Sequence, residues 1–224
     1  MGKTENKAKE NLSQQQTIDR IRNDAFENIF PEQDERHILG KTLELLANGC
    51  PVLPDEIAIV LGVSLEKVLS TLRSFGAEFD KEGNVLGVGL TLVPTPHAYE
   101  VNGRKLYTWC AVDALLFPIM LRHTAHIESR DPITGEKILV TVSPEGVQKV
   151  KPKNAVVSWV KDIDLSNIRG SVCHYVHFFS SFESASKWIA EHPDKTFYPV
   201  NNDVYPAVMQ LKSKFTDVQT KSCC

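Results

Sequence analysis

Residues 107–120, YTWCAVDALLFPIM, form an apolar run interrupted by two reactive side chains, Cys110 and Asp113. Read as a helix, the run places these two on one face, one turn apart. Setting a thiol beside a carboxylate among Trp109, Leu115, Leu116 and Phe117 is costly for either charged form, because burial without a partner disfavours charge. Such a cost is accepted where chemistry requires it. A second thiol in apolar surroundings, Cys173 in GSVCHYVHFFSS, is the natural partner.

Strand-like segments lie on either side of this run. HAYEVNGRKLY carries Asn102-Gly103, a hairpin signal, and VLGVGLTLV precedes it after the DKEGN turn. Beyond the run, HTAHIESRD, EKILVTVSP and NAVVSWV read as strands, with clear alternation at Ile138, Val140 and Val142. VCHYVHFF reads as a further strand, with Cys173, Tyr175, His177 and Phe179 on one face. Ser181 caps a helix, FESASKWIAEH, that stops at Pro193; TFYPV is a short strand, and a last helix runs toward Phe215. Upstream, Ile18, Ile21, Ala25, Phe26 and Ile29 recur at helical spacing up to Pro31, and a second helix spans Ile38 to Leu46. Pro54 opens a short helix, Gly62 breaks it, and Ser64 caps the next. The expected fold is α+β: a three-helix winged-helix-like part, then a mixed sheet with flanking helices. The expected divisions are a flexible tail at 1–16, a helical domain at 17–95, a catalytic α/β domain at 96–215 and a flexible Cys-containing tail at 216–224.

Composition narrows the function. The chain has 224 residues, with 42% hydrophobic and 24% charged content, ordinary for a globular protein. A formal charge of −3 gives no general attraction to nucleic acid or anionic membrane. The polar start, MGKTENKAKENLSQQQ, has no signal-peptide core, and no run is long enough for a membrane span. An odd set of widely spread cysteines, Cys50, Cys110, Cys173, Cys223 and Cys224, then points to reduced thiols in a cytoplasm. Cys50 reads as a small buried hydrophobe. There is no C-x-x-C, no phosphate loop and no nucleophile elbow. The putting-together of helices could serve DNA binding, but Glu66, Lys67 and Arg73 make a poor phosphate-neutralising cluster, so packing is the expected role. Spacing alone stops at a thiol-containing site of unassigned chemistry.

Four segments carry a resemblance. GNVLGVGLTL, KLYTWCAVDALLFP, TVSPEGVQKV and SVCHYVHFF, in that order, resemble the successive motifs of the alkylmercury (organomercurial) lyases, over about residues 37–190. The resemblance implies that Cys110 and Cys173 bind mercury and that Asp113 is the catalytic aspartate. It implies cleavage of carbon–mercury bonds to R–H and Hg(II), without an organic cofactor. Cytosolic thiols and mercuric reductase are the implied Hg(II) acceptors, and neither nucleic acid nor membrane is an implied partner. This chain departs from the family at His174, where many members have a second cysteine, and near Asp131, where members often carry a structural cysteine. Tyr107, Trp109 and Phe117 are candidates for the organic group's pocket, with core packing as the alternative. Cys223 and Cys224 could pass on Hg(II), or be incidental exposed thiols. Two rival functions are a winged-helix thiol-based metal sensor that binds DNA, and a zinc site adding His174 or His177 to Cys110, Asp113 and Cys173.

Overall fold

A computed structural model describes residues 14–19 and 33–210. Residues 14–19 are helical, and Ile18 is buried; the rest of the first expected helix, both expected tails and the pair Cys223 and Cys224 lie outside the described residues. Helix α1 (Gln33–Leu46) buries Ile38, Leu39, Leu43 and Leu46, a 3.6-period stripe. Helix α2 (Pro54–Leu61) starts on proline and ends at Gly62 in the left-handed region, φ 66°. Helix α3 (Leu65–Ser74) follows, its Lys67 N–H donating to the Ser64 hydroxyl. These boundaries follow the sequence expectation.

The main sheet has eight strands in the order β1-β2-β3-β5-β4-β6-β7-β8. They are β1 (Glu78–Phe79), β2 (Val85–Val88), β3 (Leu90–Thr91), β4 (His97–Val101), β5 (Arg104–Thr108), β6 (Ala125–Arg130), β7 (Lys137–Ser143) and β8 (Gly146–Lys151). A smaller sheet pairs β10 (Phe178–Phe179) and β11 (Lys195–Pro199) on either side of β9 (Val156–Val160). Every pair is antiparallel, which corrects the expected mixed sheet. The reason is the connections: most neighbours are joined by tight turns such as Asn102-Gly103, both at positive φ. The chain's one long connection among β4, β5 and β6 is helix α4 (Ala111–Met120), which carries it from β5 across β4 to β6. β5 and β6 therefore run parallel without touching, and α4 lies over the sheet with nine of its ten residues buried. The sheet is continuous from β1–β3, beside the three helices, through to β8.

Two further expectations fail. The Cys173 segment is not a strand: Ile168–Ser171 is a helical turn (α5), Cys173–Tyr175 is a 3₁₀ turn, and only Phe178–Phe179 pairs. Its alternation of apolar and polar residues is overridden by tertiary bonds, since the Ser158 hydroxyl donates to the Tyr175 carbonyl (2.7 Å) and accepts from the His177 N–H (2.8 Å). Cys50 is exposed, because it sits in the turn after Gly49 (φ +79°) rather than on the apolar face of α1. After β10, helix α6 (Phe182–Glu191) begins at its Ser181 cap as expected; a π-helical turn (Val200–Val204) leads from β11 into helix α7 (Tyr205–Gln210).

Candidate active site

Cys110 is the N-cap of α4. Its extended backbone (φ −146°, ψ 172°) lets the sulfur turn back onto the helix, where it accepts from the Asp113 N–H at 3.5 Å. A thiol thus occupies the place that serine or aspartate usually takes. Its neighbours fix it: the Thr108 hydroxyl donates to the Cys110 carbonyl (3.0 Å), and the Trp109 N–H donates to the Gly89 carbonyl (2.8 Å). Asp113, three residues into the helix, projects toward the same gap.

Cys173 arrives from the 3₁₀ turn. Its sulfur lies 4.0 Å from Asp113 Oδ2, and the Ala111 N–H donates to the Val176 carbonyl (3.0 Å), joining this turn to the start of α4. One ligand atom from each of Cys110, Asp113 and Cys173 lies within 4.8 Å of the others. Both cysteines are buried and unpaired by disulfides. Among the described residues this is the one cluster of three with metal-ligand geometry, and neither His174 nor His177 joins it. His177 instead stacks on His97 (6.0 Å between rings) and meets Trp188 edge-on, so the four-ligand zinc arrangement does not form.

Burial sets the electrostatics. Desolvation pushes the Cys110 thiol well above its ordinary pKa, with the Cys173 and Asp113 groups adding to the rise. Desolvation also lifts the Asp113 carboxyl from 3.8 to about 6, against the opposing hydrogen bonds from Cys110. At rest, the Cys110 sulfur therefore keeps its proton beside a carboxyl poised near neutrality.

A cavity of about 100 Å³ opens beside these groups. Trp109 and Phe117 line it; Tyr107 does not, and lies on β5 beneath the Lys105 ammonium (5.7 Å from its ring). The sequence reading missed Leu39 and Leu43 from α1, Phe75 after α3, Trp159 from β9, and Gly89. An isolated glycine in a strand pattern does signal close backbone approach. Here a Cβ at Gly89 would stand 2.7 Å from Phe117 Cζ and 3.7 Å from Asp113 Cγ. The others, scattered over remote segments, carry no local signal.

A charged clasp closes the outer side. The Arg169 guanidinium lies 4.4 Å over the Trp109 ring and pairs with Glu78 Oε1 (2.8 Å). Glu78 Oε2 accepts from Trp109 Nε1 (3.3 Å) and from the Thr91 hydroxyl. Arg169 stands four residues before Cys173, between the cavity residues Ile168 and Val172. The clasp thus ties the segment leading to one thiol to the residue preceding the other.

Comparison with known proteins agrees with this geometry. The family profile of alkylmercury lyase (MerB) matches residues 90–206. An alkylmercury lyase of Staphylococcus epidermidis is 40% identical over 185 residues, spanning 81% of this chain and 85% of that protein. One from Pseudomonas putida is 43% identical over 161 residues, 71% of this chain and 76% of that protein. In fold, the chain resembles a solved structure described as the mercury-bound form of MerB2, with TM-score 0.72 over 89% of this chain and 98% of that one, at 24% identity.

Proposed function

The chain belongs to the alkylmercury lyase family, an enzyme family that cleaves carbon–mercury bonds, and from that premise we propose that Cys110, Cys173 and Asp113 do the work. The observation that carries the assignment is the meeting of two sulfurs and a carboxyl oxygen within 4.8 Å in a buried gap. Mercury is a soft cation that favours thiolate ligands, and two are offered. An alkyl or aryl carbanion is too basic to leave freely, so the carbon must receive a proton as its bond to mercury breaks.

In this reading R–Hg⁺ is captured by one cysteine, whose proton is released to solvent, and then by the other, whose proton passes to Asp113 as the second sulfur–mercury bond forms. Unperturbed groups make the transfer from thiol to aspartate a climb of about 4.6 pKa units, or ~6 kcal/mol. Lifting Asp113 to about 6 shortens the climb from the acceptor's side. The raised Cys110 lengthens it from the donor's side, so sulfur–mercury bond formation must expel the proton. Asp113 then delivers that proton to the carbon, giving R–H and Hg(II) held by the two sulfurs. The electron pair of the carbon–mercury bond goes to the new C–H bond, and mercury stays divalent throughout.

The product leaves by exchange with outside thiols. Cytosolic thiols and mercuric reductase are the acceptors in this reading, with the cytoplasm as the compartment. No helix among the described residues is long and apolar enough to cross a membrane. The three N-terminal helices with the β1–β2 hairpin make a winged-helix-like unit whose role is packing: α1 supplies a cavity wall, while α3 presents Lys67 and Arg73 beside Glu66. In this reading the chain divides into a helical part, expected at 17–95, and a catalytic part, expected at 96–215, and the described strands β1–β8 of the two form one sheet. Cys223 and Cys224 would assist the hand-over of Hg(II), and truncation after Ser222 should slow release into dilute thiol.

The test is direct. Phenylmercury incubated with the protein and excess thiol should yield benzene, and Cys110→Ala, Cys173→Ser and Asp113→Asn should each abolish it. A fully active Asp113→Asn would remove the proton-delivery role.

A further inference from the structure

Strand β9 carries one hydroxyl, Ser158, in a run whose five residues are all buried. A buried hydroxyl costs free energy unless it is bonded, and among the described residues every bond of this one goes to the Cys173 segment. The Ser158 Oγ donates to the Tyr175 carbonyl (2.7 Å) and accepts from the His177 N–H (2.8 Å), while the Ser158 N–H donates to the His177 carbonyl (3.0 Å). These bonds fall where a ladder stops. Phe179 pairs with Val156 and Phe178 with Val157, so the next rung sets His177 against Ser158. In a continued antiparallel ladder the His177 N–H would go to the Ser158 carbonyl. Here the hydroxyl takes it, takes up the Tyr175 carbonyl as well, and the chain before Phe178 turns away as the 3₁₀ turn Cys173–Tyr175.

Resting on the lyase reading, we infer that Ser158 is a positioning residue for the reaction: its hydroxyl diverts the chain out of the ladder and so holds the Cys173 sulfur against Asp113 for the second sulfur–mercury bond. The competing path is the strand that the alternation of residues 172–179 favours. Run on at ~3.3 Å per residue, that strand would carry Cys173 roughly 16 Å along β9 from Phe178, away from its 4.0 Å contact with Asp113 Oδ2. Cys110 needs no such help, because it caps its own helix. Capture of R–Hg⁺ by a single sulfur is therefore independent of Ser158. The second bond, whose formation passes that sulfur's proton to Asp113, needs both sulfurs in register. The Ala111 N–H bond to the Val176 carbonyl (3.0 Å) survives loss of the hydroxyl, so removing it slows the reaction without ending it.

Threonine and valine separate the hydroxyl from its volume, since their side chains have nearly the same shape and only threonine can make these bonds. With the full chain, excess small thiol and phenylmercury, Ser158→Ala and Ser158→Val should each lower kcat by about tenfold or more, with KM held within about threefold. Ser158→Thr should keep most of the kcat. Ile57→Val, which shortens a fully buried side chain in α2, should lower Tm and leave kcat unchanged. An unchanged kcat in a folded Ser158→Ala would overturn the inference while leaving the lyase reading intact. So would equal kcat values in Ser158→Thr and Ser158→Val, a loss confined to KM, or an equal fall of kcat in Ile57→Val. Absence of benzene with the unaltered protein would overturn the lyase reading itself, and the inference with it. Should Ser158→Ala fail to fold, the comparison of threonine with valine decides alone.

Discussion

At Asp113 the demands of chemistry and of stability point in opposite directions. Its folded pKa, about 6, lies above the ordinary 3.8, so between these values the folded state binds more protons than the unfolded one. Stability therefore falls as pH rises through that window, and at neutral pH the carboxylate is a net cost. Asp113→Asn should raise the unfolding free energy at pH 7 by roughly 3 kcal/mol while ending protonolysis, and the gain should vanish below pH 4; urea titrations at the two pH values measure it. Isothermal titration should still find Hg(II) bound by this variant, since both sulfurs remain. The two thiols and the carboxylate were legible in the sequence as polar groups where polarity is expensive, and the family resemblance joined them. Their approach to 4.8 Å was not legible, because it depends on the Ser158 and Val176 hydrogen bonds that fold the Cys173 segment into a turn.

Element boundaries were the most readable part of the fold. Pro54, Gly62, Ser64 and Ser181 begin or end helices for local reasons that a linear chain displays, and Asn102-Gly103 closes its hairpin likewise. The Cys173 segment and Cys50 misled for a common reason: period and neighbours describe what a segment can do alone, and tertiary partners decided otherwise. Gly89 shows how tightly β2, β3 and α4 meet. At φ +78°, with Phe117 2.7 Å from where a Cβ would stand, Gly89→Ala should destabilise by ~2 kcal/mol or more and displace Phe117 into the cavity. Thermal unfolding and phenylmercury KM would report both effects. On the outer side, Arg169→Ala should red-shift Trp109 emission and lower kcat/KM several-fold (a loss of about 1 kcal/mol), with partial rescue by Arg169→Lys, which keeps a cation over the ring.

Over the whole molecule, the sheet that begins beside the N-terminal helices ends at β8 without a break, so backbone circular dichroism and tryptophan emission should report one coincident unfolding transition. Acid should weaken that transition through His97. The ring is buried between Ser129, His177 and Phe178, and desolvation followed by repulsion from His177 holds its pKa at about 3, below the ordinary 6.5. The unfolded chain therefore takes up a proton that the folded one refuses, and stability declines as pH falls from 6.5 toward 3. Replacing His97 with Asn should flatten the stability–pH slope there by up to ~1.4 kcal/mol per pH unit, measured by urea unfolding. The two sulfurs also belong to different layers, one following a strand of the large sheet and the other preceding a strand of the small one. An ion bonded to both would act as a staple across the stretch from position 110 to 173, restricting the denatured chain as a cystine bridge does, by roughly 4 kcal/mol. The enzyme would then be most heat-resistant while still loaded, and the same reinforcement would make the metal reluctant to depart until a competing sulfur nucleophile arrives.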